Sequence, residues 1–298
     1  MKSLATYIMQ GRIPAMIAAS CLALLSLKYP PVSVVSSASV ALVTLRRGGS
    51  EGLYILGCAA LAASLMGFFI LGNFQFALAY VMILWLPIWL ISIVLREGRY
   101  LSLAVEIAVF LGVLGVIVAH SFMADPTATW KQILIQMAPA SAPLGNTQRT
   151  IEMLSQFMTG VIATGSVVGL LLGLFLARWW QATLYNPGGF RQEFLSLNTH
   201  PRYTVLTVLV IVVALLHLGT ISDVAKNIGL VLIVHHIFIG AAILHTIFAA
   251  KKLARYSVPI LYVSMILIPH ILLLVALVGL TDRLLNLRKN KFEPSGAK

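Results

Sequence analysis

The chain is written as long apolar runs separated by short polar, charged or proline-containing breaks. Runs near 8–27, 31–45, 52–72, 76–95, 100–122, 155–177, 204–219, 228–249 and 257–280 approach the roughly 20 residues that carry an α-helix across a ~30 Å hydrocarbon layer. The fold expected is an all-α polytopic bundle of about eight or nine transmembrane helices, a single integral membrane domain over residues 1–298. Tyr29-Pro30-Pro31 ends the first helix, because proline cannot continue the backbone hydrogen-bond ladder. The second run is short and rich in Ser and Val, so it crosses with little tilt or crosses incompletely, and the count is nine or eight accordingly. No internal repeat aligns, which leaves an inverted-repeat transporter fold without support. In the longest connection, 121–152, Trp130–Met137 has the alternation of a short amphipathic helix at the membrane surface, broken by Pro139, Pro143 and Gly145. It reads either as a lid on the outer leaflet or as a binding loop.

Composition sharpens this picture. Of 298 residues, 59% are hydrophobic and 10% charged, where a soluble domain carries about 25% charged residues. The formal charge of +12 is read as lipid-facing and topological, since no basic soluble domain is present to bind nucleic acid. With the N-terminus cytoplasmic, the inner loops hold Lys2, Arg12, Arg46, Arg47, Arg96, Arg99, Arg178, Arg191, Arg202, Lys251, Lys252 and Arg255. The outer loops hold Lys28, Lys131, Arg149 and Lys226. The basic tail, Arg283 to Lys298, falls outside in this order and conflicts with the positive-inside rule. The first apolar run carries a weak lipoprotein-like box, Ala18 to Cys21, inside its hydrophobic core, and is expected to stay as a retained helix. Cys21 and Cys58 form no disulfide or metal framework.

Within the runs, Gly165, Gly169 and Gly173 recur every four residues, as do the pairs Ala59 with Ala63 and Ala15 with Ala19. Such spacing brings helix backbones together in lipid, inside the bundle or against a partner subunit. Glu106 is the acid set well into a run; it pairs with Arg99, seven residues earlier on nearly the same face, or forms a polar intramembrane site. His235, His236 and His270 fall near the middle of their runs, where they bond between helices or handle a substrate or proton. Adjacent helical residues point about 100° apart, so His235 and His236 do not converge on a metal, and no metal or cofactor is expected. Neither a nucleophile elbow nor a phosphate-cradling glycine loop is present, so no catalytic residues and no enzymatic activity are expected.

The stretch from Arg178 to Phe194 differs from everything around it. Arg178, Trp179 and Trp180 have the composition of a helix end at headgroup level. Asn186, Pro187, Gly188 and Gly189 form a turn. Phe190 and Phe194, with Arg191 and Glu193 between them, then put both rings on one face of an interfacial elbow suited to partner contact. ARWWQATLYNPGGFRQEF (Ala177 to Phe194) resembles the hallmark segment of the YybS-like predicted membrane proteins, a bacterial family of unknown function, in its proteobacterial type. SSASVALVTLRRG (Ser36 to Gly48), LWLPIWLISIVLR (Leu84 to Arg96) and ALVGLTDRLLNLRK (Ala276 to Lys289) extend the resemblance over nearly the whole chain. Asn198-Thr199-His200-Pro201 departs from the more basic sequence expected of relatives, so phosphate binding by that loop is not implied. The resemblance carries no activity with it, although the hydropathy is similar to that of substrate-binding subunits of energy-coupling-factor transporters. The expected function is a transport component or permease-like subunit of the bacterial inner membrane for a small molecule or lipid. Its partners would be membrane lipids and a membrane protein, ATPase or coupling subunit. The alternative is a non-enzymatic envelope scaffold or assembly factor.

Overall fold

The computed structural model describes residues 1–138, 144–251 and 253–285, and among them the chain is helical with no strand. Pro139, Pro143, Lys252, Arg288, Lys289, Lys291 and Lys298 lie outside the described residues. In chain order the helices are α1 Lys2–Met9, α2 Arg12–Leu25, α3 Val32–Arg47, α4 Gly49–Leu71, α5 Gln75–Tyr80 and α6 Leu86–Gly98, with a π turn at Val81–Trp85 joining the last two. There follow α7 Leu101–Phe122, α8 Pro126–Met137, α9 Leu144–Ser155, α10 Met158–Tyr185, α11 Gly189–Leu195, α12 Pro201–Leu215, α13 Thr220–Ala250, α14 Ala254–Leu267 and α15 His270–Leu285. Five segments are long and apolar enough to cross a membrane: Gly49–Ile70, Gln75–Gly98, Leu101–Phe122, Met158–Tyr185 and Thr220–Ala250. Large apolar side chains point outward from the helices, with Phe69 83% and Ile266 79% exposed. Water would penalise such a surface and lipid tails do not.

Where the sequence reads as one membrane domain, the described residues form two compact units. The first comprises Met1–Ala108 with Ser166–Ser196, and the second Val109–Gly165 with the residues from Leu197 onward.

In the first unit α3 is the core. Every residue from Ser36 to Leu45 is buried, so over that stretch this 16-residue helix is enclosed by its neighbours. Its small residues allow this. Gly52 of α4 leaves room for Thr44, and Gly173 of α10 sits where an added Cβ would lie 3.2 Å from Ser37 and 3.4 Å from the Val34 carbonyl oxygen. Ser36 donates to the Ala19 carbonyl at 2.7 Å, and Trp85 Nε1 donates to Ser36 Oγ at 3.2 Å. Pro87 explains the π turn before it. Lacking an N–H, it cannot bond the carbonyl four residues back, and the helix widens by one residue to continue. The first apolar run, 8–27, is likewise two helices, broken at Gln10-Gly11.

In the second unit α13 is the most enclosed helix, and α15 runs antiparallel along it. Gly240 faces Val275 and Gly279, and Gly279 in turn faces His236, all through backbone atoms. The expected span 257–280 is two helices, α14 and α15, because Pro269 lacks an amide hydrogen and forces Ile268 to an extended conformation (φ −126°, ψ 90°). His270 therefore opens α15 at an exposed position and is not in mid-helix. The amphipathic segment around Trp130 is helical, as α8, capped by Asp125, whose carboxylate accepts from the Ala128 N–H at 2.9 Å. Lys131 pairs with Glu152 of α9 at 2.8 Å, closing a helical hairpin.

The small-residue stripe is only partly a packing seam. An added Cβ at Gly165 or Gly169 meets nothing within 4 Å, and the close approaches occur instead at Gly173, Gly240, Gly279, Gly52 and Gly160. Ala15, Ala19, Ala59 and Ala63 are all buried.

Candidate functional site

α10 runs unbroken for 28 residues to Tyr185, with Arg178 in its last two turns. There the chain turns on Gly188, whose φ of 90° suits glycine, and folds back as α11. Phe190 and Phe194 share a face as their spacing requires, and that face turns toward α10. Both rings pack on Phe175 of α10, with centroids 5.9 and 5.8 Å away. Gly189 is buried against Asn186, where a Cβ would come within 2.6 Å of Nδ2. Trp179 and Trp180 separate by the 100° of one helical step: Trp180 is fully buried, and Trp179 is 40% exposed. The two look out from α10 in different directions, Trp180 into the core and Trp179 outward.

Arg178 is the fixed point of this corner. Its Nε donates to Glu193 Oε2 at 2.8 Å, its Nη2 pairs with the other carboxylate oxygen, and its Nη1 donates to Gln181 Oε1 at 3.0 Å. Gln181 Nε2 reaches the Leu45 carbonyl at 3.3 Å, and Arg96 Nη1 reaches the same oxygen at 2.7 Å. The free carbonyl at the end of the buried α3 is therefore capped by side chains from α6 and α10. Around it lies a cavity of about 420 Å³ lined by Leu45, Leu95, Arg96, Glu97, Arg99, Arg178, Gln181 and Glu193. Arg46, beside it in sequence, stacks on Tyr185 with 4.1 Å to the ring centroid.

Of the sequence candidates, Arg178 and Glu193 line this cavity; Trp179 and Arg191 are exposed on the elbow, as are Asn186 and Pro187 in its turn. Glu106 is half-buried in α7 and is not among the lining residues. Arg99 lines the cavity, and so do Arg96, Glu97 and Gln181, which sequence reasoning did not single out as a site. The signal was basic and acidic residues at three helix ends far apart in sequence, whose convergence depends on the tertiary packing around α3.

The histidine pair belongs to the second unit. His235 Nε2 shares a 3.1 Å hydrogen bond with Thr199 Oγ1, and His236 Nε2 shares one of 3.0 Å with Thr207 Oγ1. Tyr203 stacks on His235 at 4.8 Å between centroids. Thr199 thus partners a buried histidine, while His200 and Pro201 start α12. Asn227, also overlooked, bonds the Gly160 N–H at 2.6 Å and the Gln156 carbonyl at 2.9 Å, holding the N-terminal end of α10. No group of three or more His, Cys, Asp or Glu side chains able to hold a metal occurs among the described residues. No protein-family model, curated protein or solved structure matches this chain.

Proposed function

We propose that this chain is a transport component of the bacterial inner membrane, a permease-like subunit of the YybS-like type with its N-terminus in the cytoplasm. It holds a small molecule or a lipid through the cleft at the Arg178 corner. The observation that carries this reading is a polar cavity of about 420 Å³, within the usual range of ligand pockets, at the helix ends of an otherwise apolar unit. Transport needs such a place, where a polar group leaves water without leaving hydrogen-bonding partners. A count of eight or nine spans is part of the proposal, supported by the five long helices and the shorter apolar ones, Arg12–Leu25, Pro201–Leu215, Ala254–Leu267 and His270–Asp282.

In this reading α11 gates the cleft. It is seven residues long, its Glu193 pairs with Arg178 and its phenylalanines pack on Phe175, and its opening would release Arg178 toward an entering ligand. The exposed Trp179 and Arg191 supply the contact for an ATPase or coupling subunit. The same exposed pair also favours the scaffold reading, in which contact is the whole function. Mild extraction of the tagged protein from its native membrane, followed by mass spectrometry of what stays bound, separates the two. A stoichiometric ATPase or coupling subunit, or one defined small molecule, supports transport. Envelope-assembly proteins without a ligand replace it with the scaffold.

A further inference from the structure

The lining of the cleft specifies the chemistry of its ligand, and this step rests on reading the cleft as a ligand site. Three arginines face two glutamates across one cavity, so one positive charge is left over. The glutamates do not share it equally. Glu193 is engaged by both its oxygens with Arg178, and Glu97 is largely solvated, 74% exposed and only 3.5 Å from Arg96 Nε. The excess therefore sits at Arg99, which makes no ion pair among the described residues.

The backbone at Arg99 points the same way. Arg99 ends α6 in the left-handed conformation (φ 58°), its N–H bonding the Leu95 carbonyl at 3.0 Å. Glycine is the usual residue at this helix-ending position, because a Cβ there is disfavoured. An arginine kept at a strained position on a cavity wall is an outlier that points to use of its side chain.

We propose that the cleft binds a phosphate group, received by the guanidinium groups of Arg96 and Arg99. Arg96 has donors to spare beyond its bond to Leu45, and the two side chains enter one cavity from adjacent turns of the chain. A tetrahedral phosphate accepts from both directions at once, and a planar carboxylate does so less well. The single surplus charge matches a monoanionic phosphodiester better than a dianion. The cavity exceeds the needs of phosphate alone, so the group arrives as part of a larger molecule, either a phospholipid headgroup or a soluble phosphate ester.

The test uses the full chain in nanodiscs of neutral lipid, comparing wild type with Arg99→Gln, Arg99→Lys and Arg96→Gln. Binding of phosphatidylglycerol, its soluble diester headgroup glycerophosphoglycerol, inorganic phosphate and acetate is followed by native mass spectrometry and by thermal stabilisation. Elution volume and unliganded melting temperature verify that each variant is folded. The expected result is phosphate binding that weakens roughly tenfold to a hundredfold in Arg99→Gln, falls with added salt and is partly kept in Arg99→Lys. Arg255→Gln, outside the cleft, binds as wild type does. Retention of phosphatidylglycerol alone assigns the lipid source, and retention of glycerophosphoglycerol assigns the soluble one. Acetate binding as tightly as the phosphates, with the same loss in Arg99→Gln, overturns the phosphate assignment and leaves the ligand cleft standing. Wild-type behaviour of all three variants toward every probe overturns both.

Discussion

Gly279 on α15 offers the sharpest test of how the second unit is held together. A Cβ added there would lie 2.9 Å from both the Gly240 nitrogen and the His236 carbonyl carbon, with the His236 carbonyl oxygen nearer still. Ordinary contact needs roughly 3.5–4 Å, and these are backbone atoms of α13 that no side-chain rotation can move aside. Gly279→Ala must therefore push α15 off α13 by about 1 Å, and a gap of that size forfeits a quarter to a half of each contact along the seam. The expected loss is about 3 kcal/mol, the upper end of the range for an overpacked site. Gly169→Ala makes the opposite prediction: its Cβ meets nothing within 4 Å, and replacing glycine inside a helix gains roughly 0.5–1 kcal/mol. Both variants can be heated in detergent and the folded fraction read from the monodisperse peak on size exclusion. The apparent melting temperature should fall by several degrees for Gly279→Ala and hold or rise for Gly169→Ala. Equal stability of Gly279→Ala and wild type would refute the antiparallel α13–α15 contact as described.

Two further outcomes follow from other contacts. Asn227→Leu strips the buried Gly160 N–H and Gln156 carbonyl of their partner, so stability should drop by about 2–3 kcal/mol; a melting temperature within a degree of wild type would mean that Asn227 holds nothing. Phe194→Ala removes one of the rings packed on Phe175 and should loosen α11 while leaving the rest of the fold intact. Limited trypsin digestion would then cut faster at Arg191, with overall melting little changed, and an unaltered cleavage rate would count against α11 as a separately opening element.

The parts of this fold legible in the sequence are those written in local chemistry. Trp130 to Met137 lies in the helix α8, Pro187-Gly188 turns α10 into α11, and the i, i+4 spacing of Phe190 and Phe194 puts their rings together. What was not legible depends on partners. Counting apolar residues from 257 to 280 averages over Pro269, although one missing N–H is enough to break the helix. Trp179 and Trp180 look alike in sequence, and only the side of α10 that faces the core distinguishes them. The glycine stripe at 165, 169 and 173 has the right period, yet a period does not say whether a neighbouring helix is present at each level; only Gly173 has one close by. The cleft was hidden for the same reason, since Arg96, Arg178 and Glu193 meet only because α3 gathers the ends of α6 and α10 around its last carbonyls.

The enclosure of α3 has a consequence for how the chain is made. A segment of 16 residues with four serines, a threonine and two terminal arginines is a poor substrate for insertion into lipid by its own hydrophobicity. In the folded protein its stretch from Ser36 to Leu45 is enclosed, and three of its hydroxyls bond to helix carbonyls, Ser36 to Ala19, Ser39 to Val35 and Thr44 to Val40. It must therefore enter the membrane as the passenger of α2 and α4, after the second of them has left the ribosome. The first unit is then committed to a hairpin-wise order of biogenesis, in which its innermost helix is also the one least able to arrive alone.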